Sequence, residues 1–129
     1  MPSFLSVLYV AFGGALGSVS RYLVGTWVQT ASKSIDFPYG TLTVNLIGCF
    51  VIGFLSQLAE TRGAFAPESR ALVFIGVLGG FTTFSSFGNE TVNLIRSGDL
   101  WLALINVAGN NLLGLVAVFG GVTLARLLA

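Results

Sequence analysis

Long stretches without a charged side chain constrain the fold of this chain more than any other feature of its sequence. Four such stretches, at residues 4–20, 37–59, 71–89 and 100–125, contain no Asp, Glu, Lys or Arg. A helix that crosses a bilayer needs about 20 predominantly apolar residues. Charged residues make up 9% of the chain, against roughly 25% in soluble domains. The sequence therefore predicts an all-α membrane protein with four transmembrane helices in one domain spanning residues 1–129.

The connections between these stretches are short and carry residues that end and start helices. The predicted helices cover residues 3–30, 39–59, 69–97 and 99–128. Pro38 suits the start of the second helix, Gly63 lies in the loop that follows it, and Gly98 and Asp99 separate the third helix from the fourth. No connection is long enough for a soluble domain, so the function is expected to lie within the membrane.

The reactive side chains that most enzymes use are almost absent. The chain has no histidine and one cysteine, Cys49, so zinc, haem and Cys–His chemistry have almost nothing to use. We interpret Cys49 as a packing residue of the second helix. The net charge of +1 and the lack of a basic cluster give no sign of nucleic-acid binding. The protein is predicted not to be an enzyme and not to bind nucleic acid.

The loop charges leave the orientation of the chain in the membrane open. With four spans, one side carries three arginines and the other carries one lysine and one arginine; these residues are Arg62, Arg70 and Arg126 against Lys33 and Arg96. Orientation follows an excess of Lys and Arg on the cytoplasmic side. Three positive charges on one side against two on the other permit a weakly biased single orientation. They equally permit insertion in both orientations, which would allow an antiparallel dimer.

Glycines at helical spacing predict closely packed helices. The pairs are Gly13 with Gly17, Gly48 with Gly53, and Gly76 with Gly80. Small residues four apart let membrane helices approach closely, and Gly48 with Gly53 lies one residue beyond that spacing. Because four helices are too few to enclose a pathway easily, these pairs favour a compact oligomer.

Polar side chains fall within three of the predicted spans. They are Thr41, Thr43 and Asn45 in the second helix, Thr82, Thr83, Ser85, Ser86 and Asn89 in the third, and Asn106, Asn110 and Asn111 in the fourth. Such residues usually face the protein interior or a water-filled cavity. They either join helices, at ~0.6 kcal/mol on average, or line a polar seam. Hydroxyl and amide donors together with Arg21 favour an anion in that seam over a cation.

The segment GGFTTFSSFGNE at residues 79–90 is a poor uninterrupted helix. Each of its two adjacent glycines costs a helix roughly 1 kcal/mol relative to alanine, so a break is predicted near residues 79–83. Unwound backbone at membrane depth is tolerated where it is buried in protein or lines a cavity. Phe81, Phe84 and Phe87 recur every three residues, and the edges of aromatic rings carry the positive side of their quadrupole. We expect Phe81 to serve packing only.

These motifs resemble a known family. Gly17 and Arg21 in the first helix, GTLTVNLIG at residues 40–48 and GGFTTFSSFGNET at residues 79–91 are similar to the small fluoride channels known as Fluc or CrcB proteins. The resemblance covers nearly the whole chain. It implies an antiparallel, dual-topology homodimer in the bacterial inner membrane, in contact with lipid, with two fluoride pores and a broken third helix. It also implies a structural Na⁺ at the dimer centre, bound by the backbone carbonyls of Gly79 and Thr82.

The resemblance further assigns roles to individual side chains. The implied pore residues are Phe84, Phe87, Asn45, Thr41, Ser85, Ser86 and Asn110. Arg21 is implied to lie in the aqueous vestibule, and Glu90 and Asn106 are implied as possible members of the polar track. Asn110 and Asn106 depart from the family pattern, which often places small hydroxyls along this part of the fourth helix.

The function implied by the resemblance is passive, electrogenic export of fluoride from the cytoplasm, which protects against fluoride toxicity. A selective pore must replace the water of the ion with its own ligands and still release the ion. Two alternatives remain open. A small dual-topology drug exporter would be expected to carry an acid in the first helix, where this chain has Arg21 and no acid. A membrane scaffold that transports nothing would use the polar seam only to hold a dimer together.

Overall fold

A computed structural model that describes residues 1–129 contains helices and no strands. We label the helices α1 (Phe4–Ser32), α2 (Tyr39–Arg62), α3 (67–81), α4 (Phe84–Arg96) and α5 (Leu100–Leu128). Helices α3 and α4 together form the third of four spans that are long and apolar enough to cross a membrane. The prediction of an all-α membrane protein with four spanning helices is confirmed.

Local backbone chemistry accounts for the ends of the helices. The Ser3 hydroxyl accepts a hydrogen bond from the Ser6 amide at 3.1 Å and caps the start of α1. Gly63 and Gly98 follow α2 and α4 with φ angles of +59° and +83°, which a residue without a side chain adopts easily. Lys33 ends α1 in the same left-handed region, with a φ angle of 56°.

Helices α1 and α3 pack with their backbones in direct contact. A methyl group added to Gly13 would overlap the Leu72 carbonyl, and one added to Gly17 would overlap the Val77 carbonyl. Across the same seam, a Cβ on Gly76 would lie 2.9 Å from the Cα of Gly13. We call this contact the glycine seam, and it exists only because these positions lack side chains.

Helices α2 and α5 make the same kind of contact on the other side of the protomer. A Cβ on Gly53 would overlap the Val118 carbonyl, and one on Gly121 would overlap the Phe50 carbonyl. The glycines that favoured an oligomer in the sequence are therefore used for packing inside one protomer. The oligomer stays a prediction that these glycines do not support, because close helix approach within one chain produces the same sequence pattern.

The third span is interrupted at two residues. Thr82 has φ and ψ angles of −86° and 158°, and Thr83 has −149° and 121°. Both values are those of extended backbone. Helix α4 then begins at Phe84, with the Thr83 hydroxyl accepting the Ser86 amide at 3.1 Å as its cap. This interruption places the polar residues of the third span opposite α2 and α5.

Candidate functional site

The interruption is fixed by one asparagine side chain from α2. Asn45 Oδ1 accepts the Thr83 amide at 2.8 Å, and Asn45 Nδ2 donates to the Thr83 carbonyl at 3.0 Å. A side-chain carboxamide thus replaces the helical partners of Thr83 in both directions. Since an unpaired backbone amide inside a membrane costs several kcal/mol, Asn45 makes the extended conformation possible at this depth.

Backbone carbonyls at the interruption lose their helical partners as a result, and those of Gly79 and Thr82 are among them. In a continuous helix the Gly79 carbonyl would accept the Thr83 amide, and the Thr82 carbonyl would accept the Ser86 amide. Here the Thr83 amide donates to Asn45, and the Ser86 amide donates to the Thr83 hydroxyl. The carbonyl oxygens of Gly79 and Thr82 are therefore left as acceptors at the interruption.

The two glycines before the interruption remain helical, which differs from the predicted break near 79–83. Residues Gly79–Phe81 keep helical geometry, and the extended residues are Thr82 and Thr83. The reason is packing. A Cβ on Gly80 would lie 2.7 Å from the Gly14 carbonyl, so Gly80 lets α3 approach α1 and does not unwind the backbone.

A chain of hydrogen-bonded carboxamides connects the interruption to α5. Asn45 Nδ2 also donates to Asn110 Oδ1 at 2.9 Å, and Asn110 Nδ2 donates to Asn106 Oδ1 at 3.1 Å. Asn106 is fully buried and donates to the Thr91 hydroxyl at 3.0 Å. Both amide hydrogens of Asn45 are therefore used by protein acceptors. The hydrogen bonds of the three asparagines connect α2, α4 and α5 and fix their relative positions.

A groove of about 360 Å³ lies beside this network, and we call it the central groove. Its lining includes Asn45, Thr83, Asn110 and two phenylalanines of α4. The rings of Phe84 and Phe87 lie 5.5 Å apart between centroids, at an interplanar angle of 59°. Phe87 is 8% exposed, whereas Phe84 is 80% exposed. One ring is therefore fixed in the protomer, and the other projects from its surface.

A second and larger cavity of about 820 Å³ opens near the first loop, and we call it the loop-side cavity. It is lined by Arg21, Thr41, Ser86 and Glu90 together with loop residues such as Asp36. The Thr41 hydroxyl donates to Glu90 Oε1 at 2.7 Å, while the other oxygen of that carboxylate, Oε2, is buried without a hydrogen-bond partner. Polar and apolar surface contribute about equally to the lining of this cavity, whereas the lining of the central groove is mostly apolar.

Arg21 joins the loop-side cavity to the interruption. Its Nε donates to the Gly80 carbonyl at 3.0 Å, and it contributes to the lining of the cavity. A continuous helix would pair the Gly80 carbonyl with the Phe84 amide, so Arg21 supplies a donor to backbone next to the interruption. The guanidinium has further N–H groups beyond Nε.

The predicted site residues fall into three groups. Phe84, Phe87, Asn45, Asn110, Gly79 and Thr82 line the central groove. Arg21, Thr41, Ser86 and Glu90 line the loop-side cavity. Ser85 and Asn106 line neither cavity: Ser85 is exposed, and Asn106 is buried behind Asn110.

Thr83 was not predicted as a site residue, although it lines both cavities. Its backbone pairs with Asn45, and its hydroxyl caps α4. A threonine three residues before Ser86, at the point where a helix restarts, fits a capping pattern. That pattern is typical of a helix start and does not indicate a residue between two cavities, because the position of α2 is not visible in the local sequence.

Comparison with known proteins gives matches over almost the whole chain. A family model described as "CrcB-like protein, Camphor Resistance (CrcB)" matches residues 8–122. A curated protein of Parabacteroides distasonis named "Fluoride-specific ion channel FluC" is 47% identical over 122 residues, covering 95% of this chain and 94% of that protein. A protein with the same name from Elusimicrobium minutum is 48% identical, and the match covers 92% of this chain and 92% of that protein. Another from Agrobacterium fabrum is 44% identical, and the match covers 95% of this chain and 97% of that protein. Both cavities and the interruption lie within the matched region.

Proposed function

This chain belongs to the CrcB-like family, and on that premise we propose that it is a fluoride-specific ion channel. The observation that carries the proposal is the identity of 42–48% over nearly the full length to relatives that bear that name. The resemblance predicted from the motifs is confirmed, as is the prediction that the protein is not an enzyme. The chain crosses the membrane several times, and we place it in the inner membrane of a bacterium.

We further propose that two copies form an antiparallel homodimer. Support comes from α4 and α5, where side chains that lipid tolerates poorly are exposed on the single protomer. These are Ser85, Asn89, Asn93 and Asn111. The nearly balanced loop charges permit insertion in both orientations. A second copy would cover these polar groups and the exposed ring of Phe84.

In this dimer the conduction pathway runs from the loop-side cavity past Thr83 into the central groove, once in each of two pores. Arg21 raises the local concentration of anions in the cavity. The hydroxyls of Ser85 and Ser86 provide donors that replace water around fluoride, and Thr41 joins them when its one hydroxyl hydrogen turns from Glu90 to the ion. The edges of Phe84 and Phe87 carry positive quadrupole character toward a small anion.

Asn45, Asn110 and Asn106 have a different role in this proposal. Their carboxamides are engaged with one another and with Thr83, so they hold the pathway in shape. A rigid arrangement suits a pore that must distinguish a small anion from a larger one. The pathway is passive, and fluoride leaves down its electrochemical gradient.

A structural Na⁺ fits the backbone at the interruption. Unwound membrane helices bind Na⁺ through carbonyl oxygens, and the Gly79 and Thr82 carbonyls have lost their helical donors. No group of three His, Cys, Asp or Glu side chains is available for a metal ion, so the donors would be backbone oxygens. The ion would stabilise the interruption and, at the dimer centre, the contact between two copies.

Efflux from proteoliposomes tests the proposed function. Vesicles loaded with potassium fluoride are diluted into fluoride-free medium, and the released fluoride is measured with an ion-selective electrode. We expect efflux that begins only when valinomycin lets potassium follow, and that is far faster than chloride efflux under the same conditions. Efflux without valinomycin, or equal rates for the two anions, would contradict an electrogenic, fluoride-selective channel.

The same assay separates the alternatives. A drug exporter would move a cationic substrate in exchange for protons and show no fluoride current, and the absence of an acid in α1 already disfavours it. A scaffold would release neither anion. Labelling of a cysteine introduced at Ala66, in a Cys49→Ala background, tests the antiparallel dimer. Modification from both faces of the membrane supports dual insertion, and modification from one face refutes it.

A further inference from the structure

Gln29, near the end of α1, makes three hydrogen bonds to backbone groups of the segment that follows it. Its Nε2 donates to the Ser34 carbonyl at 2.9 Å and to the Phe37 carbonyl at 3.0 Å. Its Oε1 accepts the Gly40 amide at 3.0 Å. The side-chain orientation is unambiguous, because two partners are acceptors and the third is a donor. Each donor of the Gln29 carboxamide therefore meets an acceptor, and its oxygen meets a donor.

The bond to Gly40 serves a helix that lacks its own cap. Pro38 occupies the capping position of α2, and no side chain of that segment caps the first turn. The first amides of a helix have no partner inside the helix. Gln29 supplies one from the neighbouring helix, at a place where a Cβ on Gly40 would overlap the Gly25 carbonyl. Helices α1 and α2 are therefore joined at this point by both packing and hydrogen bonds.

The anchored segment forms one wall of the loop-side cavity. Gln29 lines that cavity together with Asp36, Phe37, Gly40 and Thr41. Thr41 directly follows the capped residue, and its hydroxyl donates to Glu90 across the cavity at 2.7 Å. A shift at the start of α2 would therefore move a hydroxyl that faces the pathway.

We propose that Gln29 is a positioning residue that holds the first loop and the start of α2 in the shape required for ion entry. The proposal rests on the proposed function, because it takes the loop-side cavity as the mouth of the pathway. Gln29 itself donates to backbone carbonyls and need not contact the ion.

Two substitutions at Gln29 distinguish the effect of the hydrogen bond to Gly40 from the effect of the two hydrogen bonds to the loop. Gln29→Met has similar length and removes all three hydrogen bonds. Gln29→Glu keeps an acceptor for the Gly40 amide but loses both donors to the loop. Thr43→Val is the matched control, since Thr43 lies near the start of α2, is partly buried and lines neither cavity. Each variant is examined as the full-length protein, by amide hydrogen exchange and by fluoride efflux.

Each lost hydrogen bond is expected to change a local opening equilibrium by about fivefold. In Gln29→Met, amides of residues 34–40 should exchange on the order of 10-fold faster or more, and fluoride efflux should fall by about the same factor. In Gln29→Glu, the loop amides should exchange faster while the Gly40 amide stays protected. Thr43→Val should leave both measurements within about twofold of the starting protein.

The result of each measurement decides a separate point. Unchanged exchange at residues 34–40 in both Gln29 variants would overturn the anchoring role. Faster exchange with unchanged efflux would overturn its importance for ion entry. Equal exchange at Gly40 in the Met and Glu variants would show that Oε1 does not cap α2 and would overturn that part of the proposal. If the Met variant fails to fold, the Glu variant carries the test. If the unaltered protein passes no fluoride, the proposed function fails, while the exchange data still decide the anchoring role.

Discussion

The glycine seam and the interruption of the third span lie next to each other and solve opposite problems. At the glycine seam, α1 and α3 approach so closely that Gly13, Gly17 and Gly76 leave no room for a methyl group. Immediately after it, Thr82 and Thr83 leave the helix, and the side chain of Asn45 bonds both the amide and the carbonyl of Thr83. In the glycine seam, the absence of side chains lets two backbones come into contact. At the interruption, a side chain takes the place of the backbone hydrogen-bond partners of Thr83.

This difference separates what holds the helices from what shapes the pathway. The glycine seam depends on dispersion contacts between rigid backbones, and such contacts have no alternative arrangement of similar energy. The interruption depends on a few directional hydrogen bonds around Thr83. Damage to the seam should therefore affect the fold, whereas damage at the interruption should affect conduction and leave the fold largely intact.

The largest effect is expected from Gly17→Ala, which tests the seam. The new methyl group would overlap the Val77 carbonyl, and because both partners are backbone, neither can rotate away. Overpacking typically costs about 1–3 kcal/mol, and this site should lie at the upper end. The measurements are the yield of monodisperse protein and the midpoint of thermal unfolding in detergent.

Gly14→Ala provides the control for the seam. Gly14 belongs to the same helix, and a methyl group there would meet nothing within 4 Å. We expect Gly14→Ala to behave like the unaltered protein or to be slightly more stable, because alanine favours a helix. Equal stability of the two variants would mean that the seam can widen without cost.

The next effect is expected from Asn45→Ala, which tests the interruption. The substitution leaves the Thr83 amide, the Thr83 carbonyl and Asn110 Oδ1 without their present partner. A buried polar group without a partner costs about 1–3 kcal/mol, so the extended conformation should no longer be held. Fluoride efflux should fall on the order of 100-fold or more, with the helices retained by circular dichroism.

Thr43→Val is the matched control for this experiment. Thr43 lies two residues away on α2, is partly buried and lines neither cavity. Its replacement by valine should leave efflux within about twofold. If Asn45→Ala unfolded the protein as severely as Gly17→Ala, the separation between fold and pathway would be lost.

The sequence was sufficient to predict the helices but only part of the site. Long uncharged runs fix four spans whatever their packing. The assignment of Na⁺ to the Gly79 and Thr82 carbonyls stays a prediction of the family resemblance, although both carbonyls lose their helical donors at the interruption. The role of Gly80 was not predictable, since helix-weakening glycines and closely packed glycines have the same local sequence. Gln29 and Thr83 were missed because their partners lie on other helices or in the loop.

A smaller effect is expected at Arg21, where the two regions meet. Its guanidinium donates to the Gly80 carbonyl and adds a positive charge to the loop-side cavity. Arg21→Lys keeps the charge and removes the bond that Nε makes, whereas Arg21→Gln removes the charge. We expect efflux to fall about threefold to tenfold in Arg21→Gln at low ionic strength and less at high ionic strength, since salt screens the charge.

The comparison between the two variants shows which property of Arg21 matters. If the charge dominates, Arg21→Lys should retain efflux and its dependence on salt. If the bond to Gly80 dominates, both variants should lose efflux to the same extent at every salt concentration. Arg96→Gln is the control, because Arg96 is exposed at the end of α4 and lines neither cavity.

The smallest effect is expected from the removal of Na⁺. A ligand that binds only the folded state stabilises it by a term that grows with the logarithm of its concentration, so replacement of Na⁺ by choline should lower the unfolding midpoint by about 2–8 °C. Gly48→Ala should reduce this dependence, because the methyl group would overlap Thr82 Cγ2 and displace the Thr82 carbonyl. Gly120→Ala, where the nearest side-chain atom would lie at an ordinary 3.7 Å, should keep it. If the unfolding midpoint of the unaltered protein does not depend on Na⁺, the Gly79 and Thr82 carbonyls do not bind Na⁺ and are hydrated instead. The interruption would then be held by the hydrogen bonds of Asn45, Arg21 and Thr83 without an ion.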